Sequence, residues 1–406
     1  MREFGLTGDR VTSGRIDDIE ALRAVAILLT IIGHFRFVLK WQNAKLLGME
    51  NYIALWAGVD LFFVISGFVI ARDLIGRYEQ SENREQFWRA TFAFWIRRAY
   101  RIWPTSWFWA TMLVVAAVAI PGVNYFPHFR LAFADLSAVV MHVVNFHIWS
   151  CQAQLDKAAC GGTVIWWSLS LEEQFYLALP LVFLFVPKKR LTAVLVGLIA
   201  IQFFIPRANL TFAWSIRTDA LLFGVLLAML ERTKYHAILT PTFMNKRLVA
   251  IPALALLLYL LVEIPGNDSK IQVVPFSTGL VALVAAMIVF IASYDRDYIV
   301  RSRSLKPIFI YIGSRSYALY IVHAFNLYLT AQVWDWLSPR GTAFGPNYTL
   351  RFALTFIVLT FGLAELNYRL LETPLRNRGK LAAKSMANAP TTSEAASPAL
   401  AEHAEH

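Results

Sequence analysis

The sequence predicts an all-α membrane protein: a polytopic helix bundle of about ten transmembrane helices plus one partly inserted or surface helix. Hydrophobic residues make up 57% of its 406 residues and charged residues only 16%, against roughly 25% charged in ordinary soluble domains. Apolar runs of about 20 residues recur from Leu22 to Leu371, and each is long enough to cross a hydrocarbon core of about 30 Å. Both observations exclude a soluble protein.

Eleven apolar segments can be drawn along the chain, and the fourth of them is the doubtful one as a membrane span. It contains Asp135, His142, Asn145 and His147, which are costly in lipid unless they face protein or water. The segments cover residues 19–39, 53–75, 105–121, 131–149, 166–187, 191–206, 214–231, 248–264, 276–294, 308–334 and 350–371.

The distribution of Lys and Arg decides whether segment 131–149 spans the membrane. If the N-terminus is cytoplasmic and this segment enters and leaves by the same face, 26 Lys and Arg residues lie on the cytoplasmic side and 7 outside. If it spans, the counts become 14 inside and 19 outside. The first arrangement predicts ten spans in a bacterial cell (inner) membrane, with both termini cytoplasmic. It also accounts for the net charge of +11 without a nucleic-acid partner.

The flanks of the apolar region divide the chain into three parts. Residues 1–18 form a cytoplasmic segment with mixed charge, residues 19–376 the transmembrane domain, and residues 377–406 a cytoplasmic tail. Because its sequence from Ser385 onward is rich in Ala, Ser, Thr, Pro and Glu, we expect the whole tail, residues 377–406, to be disordered. The charged start and the many later spans argue against a cleaved signal peptide.

Two loop regions carry further local predictions. The stretch from Arg77 to Arg101 alternates Arg with aromatic residues, which is typical of an amphipathic helix on the cytoplasmic membrane surface. Cys151 and Cys160 fall in an extracytoplasmic loop, where a disulfide is allowed. A bridge and two free thiols both remain open, and neither cysteine belongs to a zinc-binding pattern.

Ionisable residues inside the apolar segments are the main functional candidates. In a helix, Arg23 and His34 point within about 20° of each other and lie about 16 Å apart along the axis. At the depth of His34 we expect three carboxylates, those of Asp60, Glu172 and Glu173. A histidine oriented by a carboxylate predicts general base chemistry. The alternative is a merely structural His34, with the acids paired to Arg217 or to Trp indoles.

A second polar cluster, Arg97, Arg98 and Arg101, precedes the third span. Guanidinium forks bind phosphate through paired hydrogen bonds. The cluster is therefore a candidate site for a phosphorylated cofactor at the cytoplasmic mouth. Taken alone, these arginines equally fit topological charge that contacts lipid phosphate.

Several of these residues occur in strings that together resemble the integral-membrane acyltransferase family 3, over about residues 15–376. The family's members O-acylate bacterial surface sugars and related molecules. The strings, in chain order, are RIDDIEALRAVAILLTIIGHF (with Arg23 and His34), GVDLFFVISGFVI (Asp60, Ser66), RRAYRIWP (Arg98, Arg101), WWSLSLEEQFYLALP (Glu172, Glu173, Tyr176), RTDALLFG (Arg217, Asp219), GSRSYALYIVH (Tyr317, Tyr320, His323) and ETP (Glu372).

The resemblance implies an acyl-CoA donor, usually acetyl-CoA, that enters from the cytoplasm, and no metal. It implies a saccharide or glycolipid acceptor, with polysaccharide biosynthesis or export proteins as further partners. Some relatives carry a second catalytic module after the membrane part, and the short tail here leads us to expect none. The residue roles that follow are His34 as base or transient acyl carrier with Glu172, Glu173 and Asp60; Arg23, Arg98, Arg101 and Ser66 at the donor; and Arg217, Tyr317 and His323 at the acceptor.

The rival interpretation is a proton-coupled transporter or a flippase of a lipid-linked sugar, in which the intramembrane charges form a proton relay. A scaffold for polysaccharide export is a third, and it leaves the polar residues without a role. The in-phase pair of Arg23 and His34, together with a cytoplasmic arginine pair, favours a large phosphorylated donor. Hydrolysis of acyl-CoA or transfer of its label separates an enzyme from both alternatives.

Overall fold

A computed structural model describes residues 14–39, 41, 53–120, 124–153, 160–208, 211–265 and 275–387. Within these ranges every regular element is a helix and no residue lies in a strand, so the predicted all-α class is confirmed. The principal helices are α1 (Asp17–Phe35), α2 (Gly58–Glu79), α3 (Arg84–Ala119), α4 (Phe129–Val140), α5 (Val144–Gln152), α6 (Trp167–Phe185), α7 (Lys188–Phe204), α8 (Asp219–Glu231), α9 (Arg247–Glu263), α10 (Ser277–Ala292), α11 (Lys306–Ser314), α12 (Ser316–Leu337), α13 (Thr349–Asn367) and α14 (Thr373–Ala387).

By length and composition, four helical stretches of the described chain could cross a membrane: Arg84–Ala119, Trp167–Phe185, Phe212–Glu231 and Pro346–Met386. A fifth results if α11 and α12, which meet at a bend of 67°, form one span. α1 and α2 are long enough but carry several charged residues each. α7, α9 and α10 have only 16 or 17 residues. The ten spans therefore stay a prediction.

Segment 131–149 folds as two short helices and not as one. α4 has 12 residues and α5 has 9, each shorter than the about 20 residues that a spanning helix needs. They meet at His142, which has a φ of 57°. The Oδ1 atom of Asp135 on α4 lies 3.0 Å from the Nε2 atom of His147 on α5, so the two arms are bonded to each other. No single spanning helix forms here.

Cys160 and Thr163, which precede α6, are fastened to this helix pair. Cys151, near the end of α5, forms a disulfide with Cys160, with their Cα atoms 5.4 Å apart. The backbone N–H of Thr163 then donates to the Oδ2 atom of Asp135 over 2.8 Å. The sequence alone does not decide between a disulfide and two free thiols, and the structure contains the disulfide. It ties the end of α5 to the residues that precede α6.

α3 joins two regions that the sequence analysis treats separately. It runs unbroken for 36 residues through Pro104, whereas the sequence predicts a surface helix up to Arg101 and a span that begins at residue 105. The Asn83 side chain caps its first turn by accepting from the N–H of Gln86 over 2.9 Å. Helices in membranes tolerate an internal proline when neighbouring groups satisfy the freed backbone. One long helix therefore carries Arg98 and Arg101 into the bundle.

The start of the predicted disordered tail is helical. α14 covers residues 373–387, so disorder from residue 377 is wrong as far as residue 387. The cause is tertiary packing along α3: Ala383 is buried, and a Cβ atom added at Gly379 would lie 2.6 Å from the Cβ atom of Tyr100. Composition alone does not report such packing. The remaining tail lies outside the described residues.

Candidate active site

A pair of histidines from α1 and α12 lies inside the bundle. The Nδ1 atom of His34 is 3.1 Å from the Nε2 atom of His323, and their rings stack with centroids 5.2 Å apart. His323 is fully buried, whereas His34 is partly exposed. On its other side, the Nδ1 atom of His323 lies 3.2 Å from the carbonyl oxygen of Leu319.

For two neutral imidazoles, these contacts determine which nitrogen of each ring carries the proton. Because a carbonyl oxygen can only accept, the proton of His323 resides on Nδ1 and its Nε2 atom carries a lone pair. His34 must then donate from Nδ1, which leaves the lone pair of its Nε2 atom free. No hydrogen bond to Nε2 of His34 arises from the part of the chain that the structure describes. His34 therefore presents an unprotonated nitrogen suited to taking a proton or an acyl group.

The carboxylates predicted to share a layer with His34 have other partners. Asp60 is fully buried and its Oδ2 atom lies 3.0 Å from the Nη2 atom of Arg217. Glu172 accepts from Tyr176 and Ser66, and Glu173 is paired with His142. Within the described residues, His34 is hydrogen-bonded to His323 and its ring stacks on those of His323 and Phe37. The structure does not bring the four predicted catalytic groups together.

Arg217, predicted at the acceptor site, is enclosed instead. Only 1% of it is exposed. Besides Asp60, it is surrounded by three indoles whose centroids lie 4.8 to 5.2 Å from its Cζ atom, namely those of Trp56, Trp167 and Trp214. A second buried pair, Arg207 with Asp219, lies close by, with N–O distances of 2.9 and 2.6 Å. This arrangement fits a structural role for Arg217, in which a buried ion pair with Asp60 holds helices together. That is the alternative in which the acids pair with Arg217.

The arginines predicted at the donor site do cluster. The Cζ atom of Arg98 lies 5.5 Å from the ring centroids of both Phe94 and Tyr176. Arg23 pairs with Glu20 at 3.0 Å, and Arg23, Arg98 and Arg101 are close enough to repel one another. Neither Arg98 nor Arg101 forms an ion pair or a hydrogen bond with a described residue. Two guanidinium forks thus remain available to an anion.

Ser66 and Glu172 border this cluster. The hydroxyl of Tyr176 donates to the Oε2 atom of Glu172 over 2.5 Å, and Ser66 Oγ donates to the same atom over 3.2 Å. Glu172 is also within electrostatic reach of Arg98 and Arg101. Ser66 thus contacts Tyr176, which flanks Arg98, and Glu172 lies beside the arginines and not beside His34. Their roles at the donor and in catalysis stay predictions.

Glu372 also belongs to this arginine cluster, although its sequence context predicts no role for it. Only 1% of it is exposed, and neither carboxylate oxygen accepts a hydrogen bond from the described residues. It ends a π-helical turn, Tyr368–Glu372, which is a local widening often found at functional sites. Its charge faces Arg101 and Arg23, and the Nη1 atom of Arg376 is 4.0 Å away. In the sequence, the ETP string that begins at Glu372 is the signal that could have identified this residue.

α12 supplies a continuous face beside these groups. The hydroxyl of Tyr317 donates to the carbonyl of Ile102 over 2.7 Å, and that of Tyr320 lies 2.7 Å from Ser168 Oγ. Spaced three residues apart, Tyr317, Tyr320 and His323 lie on one side of the helix. His323 is the partner of His34, and Tyr317 lies six residues earlier, about 9 Å along the helix axis and about 120° around it.

Comparison with known proteins places the chain in a family. The family model of the acyltransferase domain matches residues 16–364. No solved structure matches the chain.

Among curated proteins, the chain is 27% identical over 383 residues to the peptidoglycan O-acetyltransferase OatA of Listeria monocytogenes, an alignment that covers 90% of this chain and 56% of the relative. It is also 27% identical over 386 residues to the O-acetyltransferase OatA of Staphylococcus aureus, covering 89% and 57%. The chain spans a little over half the length of these relatives. Since the family match covers most of the sequence, the chain belongs to the acyltransferase 3 family.

Proposed function

We propose that this protein is an integral-membrane O-acyltransferase that moves an acyl group, by preference acetyl, from cytoplasmic acyl-CoA to a hydroxyl of a cell-surface or exported saccharide. The observation that carries the proposal is the free Nε2 lone pair of His34, fixed by its hydrogen bond to His323. The names of the relatives support the chemistry, because both are O-acetyltransferases and one is named for peptidoglycan.

In the proposed reaction His34 acts on the acceptor hydroxyl, which is a poor nucleophile at neutral pH. Its Nε2 atom takes the proton as the hydroxyl oxygen bonds to the thioester carbonyl carbon. The carbon–sulfur bond then breaks, and the proton passes to the departing thiolate. In a two-step version Nε2 carries the acyl group in between. His323 keeps the reactive nitrogen at Nε2 in both versions.

The donor site in this proposal is the arginine cluster. Arg98 and Arg101 form no ion pair or hydrogen bond with a described residue, and paired hydrogen bonds from such guanidinium forks suit the phosphates of coenzyme A. Arg23 lies beside them on α1, the helix that also carries His34. The phosphates of acyl-CoA would thus be held near the start of α1, and its thioester would react at His34 near the end of α1.

The proposal includes a location: a bacterial inner membrane, with ten spans and cytoplasmic termini. The support is the Lys and Arg distribution of the sequence and the two short helices at residues 129–152. The donor arginines then face the compartment that contains CoA thioesters.

The test uses the purified full chain in lipid nanodiscs, supplied with radiolabelled acetyl-CoA and muramidase-digested peptidoglycan. We expect CoA release and label in the glycan, and a fall of about 100-fold to 10,000-fold in His34→Ala. His236→Ala is the matched control, because His236 stacks on Tyr294 outside the site. Wild-type protein that consumes no acetyl-CoA while moving lipid-linked sugar across the bilayer would establish the transporter instead.

A further inference from the structure

A second polar site lies where the turn between α4 and α5 meets α6. Glu173 on α6 is 8% exposed. Its Oε2 atom is paired with the Nδ1 atom of His142, and the indole of Trp103 lies against the imidazole with centroids 5.0 Å apart. The left-handed backbone at His142 costs energy in a residue other than glycine. That strained turn directs the imidazole onto the carboxylate.

Two side chains of α6, those of Ser170 and Gln174, hold the turn through three hydrogen bonds. The Oγ atom of Ser170 accepts from the N–H of Val144 over 3.1 Å. The Nε2 atom of Gln174 donates to the carbonyl of His142 over 2.9 Å and to the side chain of Asn145 over 2.9 Å. Side chains that fix both the carbonyl of His142 and the start of α5 leave the imidazole little freedom. The pair of His142 and Glu173 is therefore built into the fold.

Glu173 lines a narrow cavity of about 10 Å³, which is room for one water-sized group such as a hydroxyl. Two buried polar atoms there lack partners among the described residues: the Oε1 atom of Glu173 and the Nε1 atom of Trp166. One is a hydrogen-bond acceptor and the other a donor, and leaving both unpaired is unfavourable. Apart from these two residues, the cavity is lined by Ile102, Ser106, Val139, Val144, Leu169 and Ser170. An unpaired acceptor and an unpaired donor together match a hydroxyl group, which can donate to one and accept from the other.

The cavity borders α12, the helix that carries His323. Tyr317 donates to the carbonyl of Ile102 and lies beside Ser106 and Glu173. His323 follows six residues later on the same helix, a rise of about 9 Å. A saccharide with one hydroxyl in the cavity can therefore extend toward His34.

From this geometry we propose that the cavity beside His142 and Glu173 binds a hydroxyl of the saccharide acceptor and so orients another hydroxyl toward His34. The inference rests on the proposed function and adds its acceptor subsite. Glu173 accepts from the bound hydroxyl at Oε1, Trp166 donates to it, and His142 fixes the rotamer of Glu173. Glu173 is thus a binding residue and His142 a positioning residue.

The test compares Glu173→Gln, His142→Gln and Ser106→Leu, which fills the cavity and leaves the pair intact. We measure the KM for muramidase-digested peptidoglycan, the KM for acetyl-CoA, and the hydrolysis of acetyl-CoA without glycan. Each variant should raise the glycan KM at least about tenfold, and both donor readouts should stay within about twofold. His147→Gln, on the same helix pair but bonded to Asp135, should leave all three unchanged.

The outcomes separate the two proposals. An unchanged glycan KM in Ser106→Leu, or in both Glu173→Gln and His142→Gln, overturns the acceptor subsite while the acyltransferase stands. Wild-type protein without any transfer overturns the proposed function itself. If one variant fails to fold, judged by its thermal unfolding in the nanodisc, the other two decide. An equal loss of donor and acceptor readouts in all three also contradicts the subsite, because it indicates general damage.

Discussion

His34 depends on a ring that belongs to another helix. Removing the acceptor at His323 frees the Nδ1 proton of His34, so the imidazole can rotate or change tautomer. His323→Leu should therefore lower the transfer rate at least about tenfold, because orientation of a catalytic histidine is worth that much or more. His323→Gln retains an amide oxygen that accepts from Nδ1 and should recover part of the loss. Label transfer to glycan measures both.

Comparing the two His323 variants with each other controls for structural damage. Both variants disturb the same buried position, so similar thermal unfolding temperatures with different transfer rates support a positioning role. Equal rates in His323→Leu and wild type would show that the hydrogen bond does not hold the reactive tautomer.

Arg98 and Arg101 differ from Arg217 in a way that predicts different consequences of mutation. Arg217 is compensated by Asp60 and three indoles, whereas Arg98 and Arg101 lack protein anions as direct partners. Replacing both with Lys keeps the charge and loses the fork. We expect the KM for acetyl-CoA to rise about tenfold in Arg98→Lys/Arg101→Lys, which equals about 1.4 kcal/mol of binding free energy.

The matched control is Arg89→Lys, one of the arginines on the same helix, where the partner is Glu85 at 2.7 Å. Its kinetics should match the wild type. Unchanged affinity for acetyl-CoA in the double variant would mean that the arginine pair serves membrane topology alone.

α2 and α8 cross at close range through two glycines. A Cβ atom added at Gly67 would lie 2.0 Å from the carbonyl oxygen of Leu221, and one at Gly224 would lie 2.2 Å from that of Val64. Small residues allow such close approach of helices in membranes. Gly67→Ala or Gly224→Ala must push the helices apart, so each should lower stability by about 1–3 kcal/mol. Thermal unfolding in detergent measures the loss.

Gly362→Ala on α13 is the control, because nothing lies within 4 Å of its added Cβ atom. It should unfold at the wild-type temperature or slightly above. The same crossing brings Asp60 of α2 to Arg217 just before α8. A variant of Gly224 that unfolds like the wild type would contradict the close crossing, and with it the packing that buries this ion pair.

The sequence predicts where helices lie along the chain, but it does not predict which side chains of different helices meet in the bundle. Apolar length and charge predict the helical segments, since both are local properties. Depth along a span does not fix the rotation of the helix about its axis. Glu172 and Glu173 are about 100° apart on α6, so they cannot both face His34. One borders the arginines and the other borders His142.

The histidine pair shows the second limit. His34 and His323 are 289 residues apart in sequence, and no local pattern joins them. The sequence therefore predicts separate roles for them, at the acyl group and at the acceptor. The arginine cluster was easier to predict, because Arg98 and Arg101 lie one turn apart on one helix.

Membrane topology is the prediction on which the directions of donor and acceptor depend. The charge distribution places Ala153, beside the disulfide of Cys151 and Cys160, on the outer side, and Lys189 at the start of α7 inside. A membrane-impermeant maleimide applied to intact cells should label Ala153→Cys and not Lys189→Cys, and permeabilised cells should label both. The native cysteines are bridged and should not react. Labelling of Lys189→Cys in intact cells would reverse the orientation and place the arginine cluster on the side without CoA thioesters, contradicting the proposed donor path.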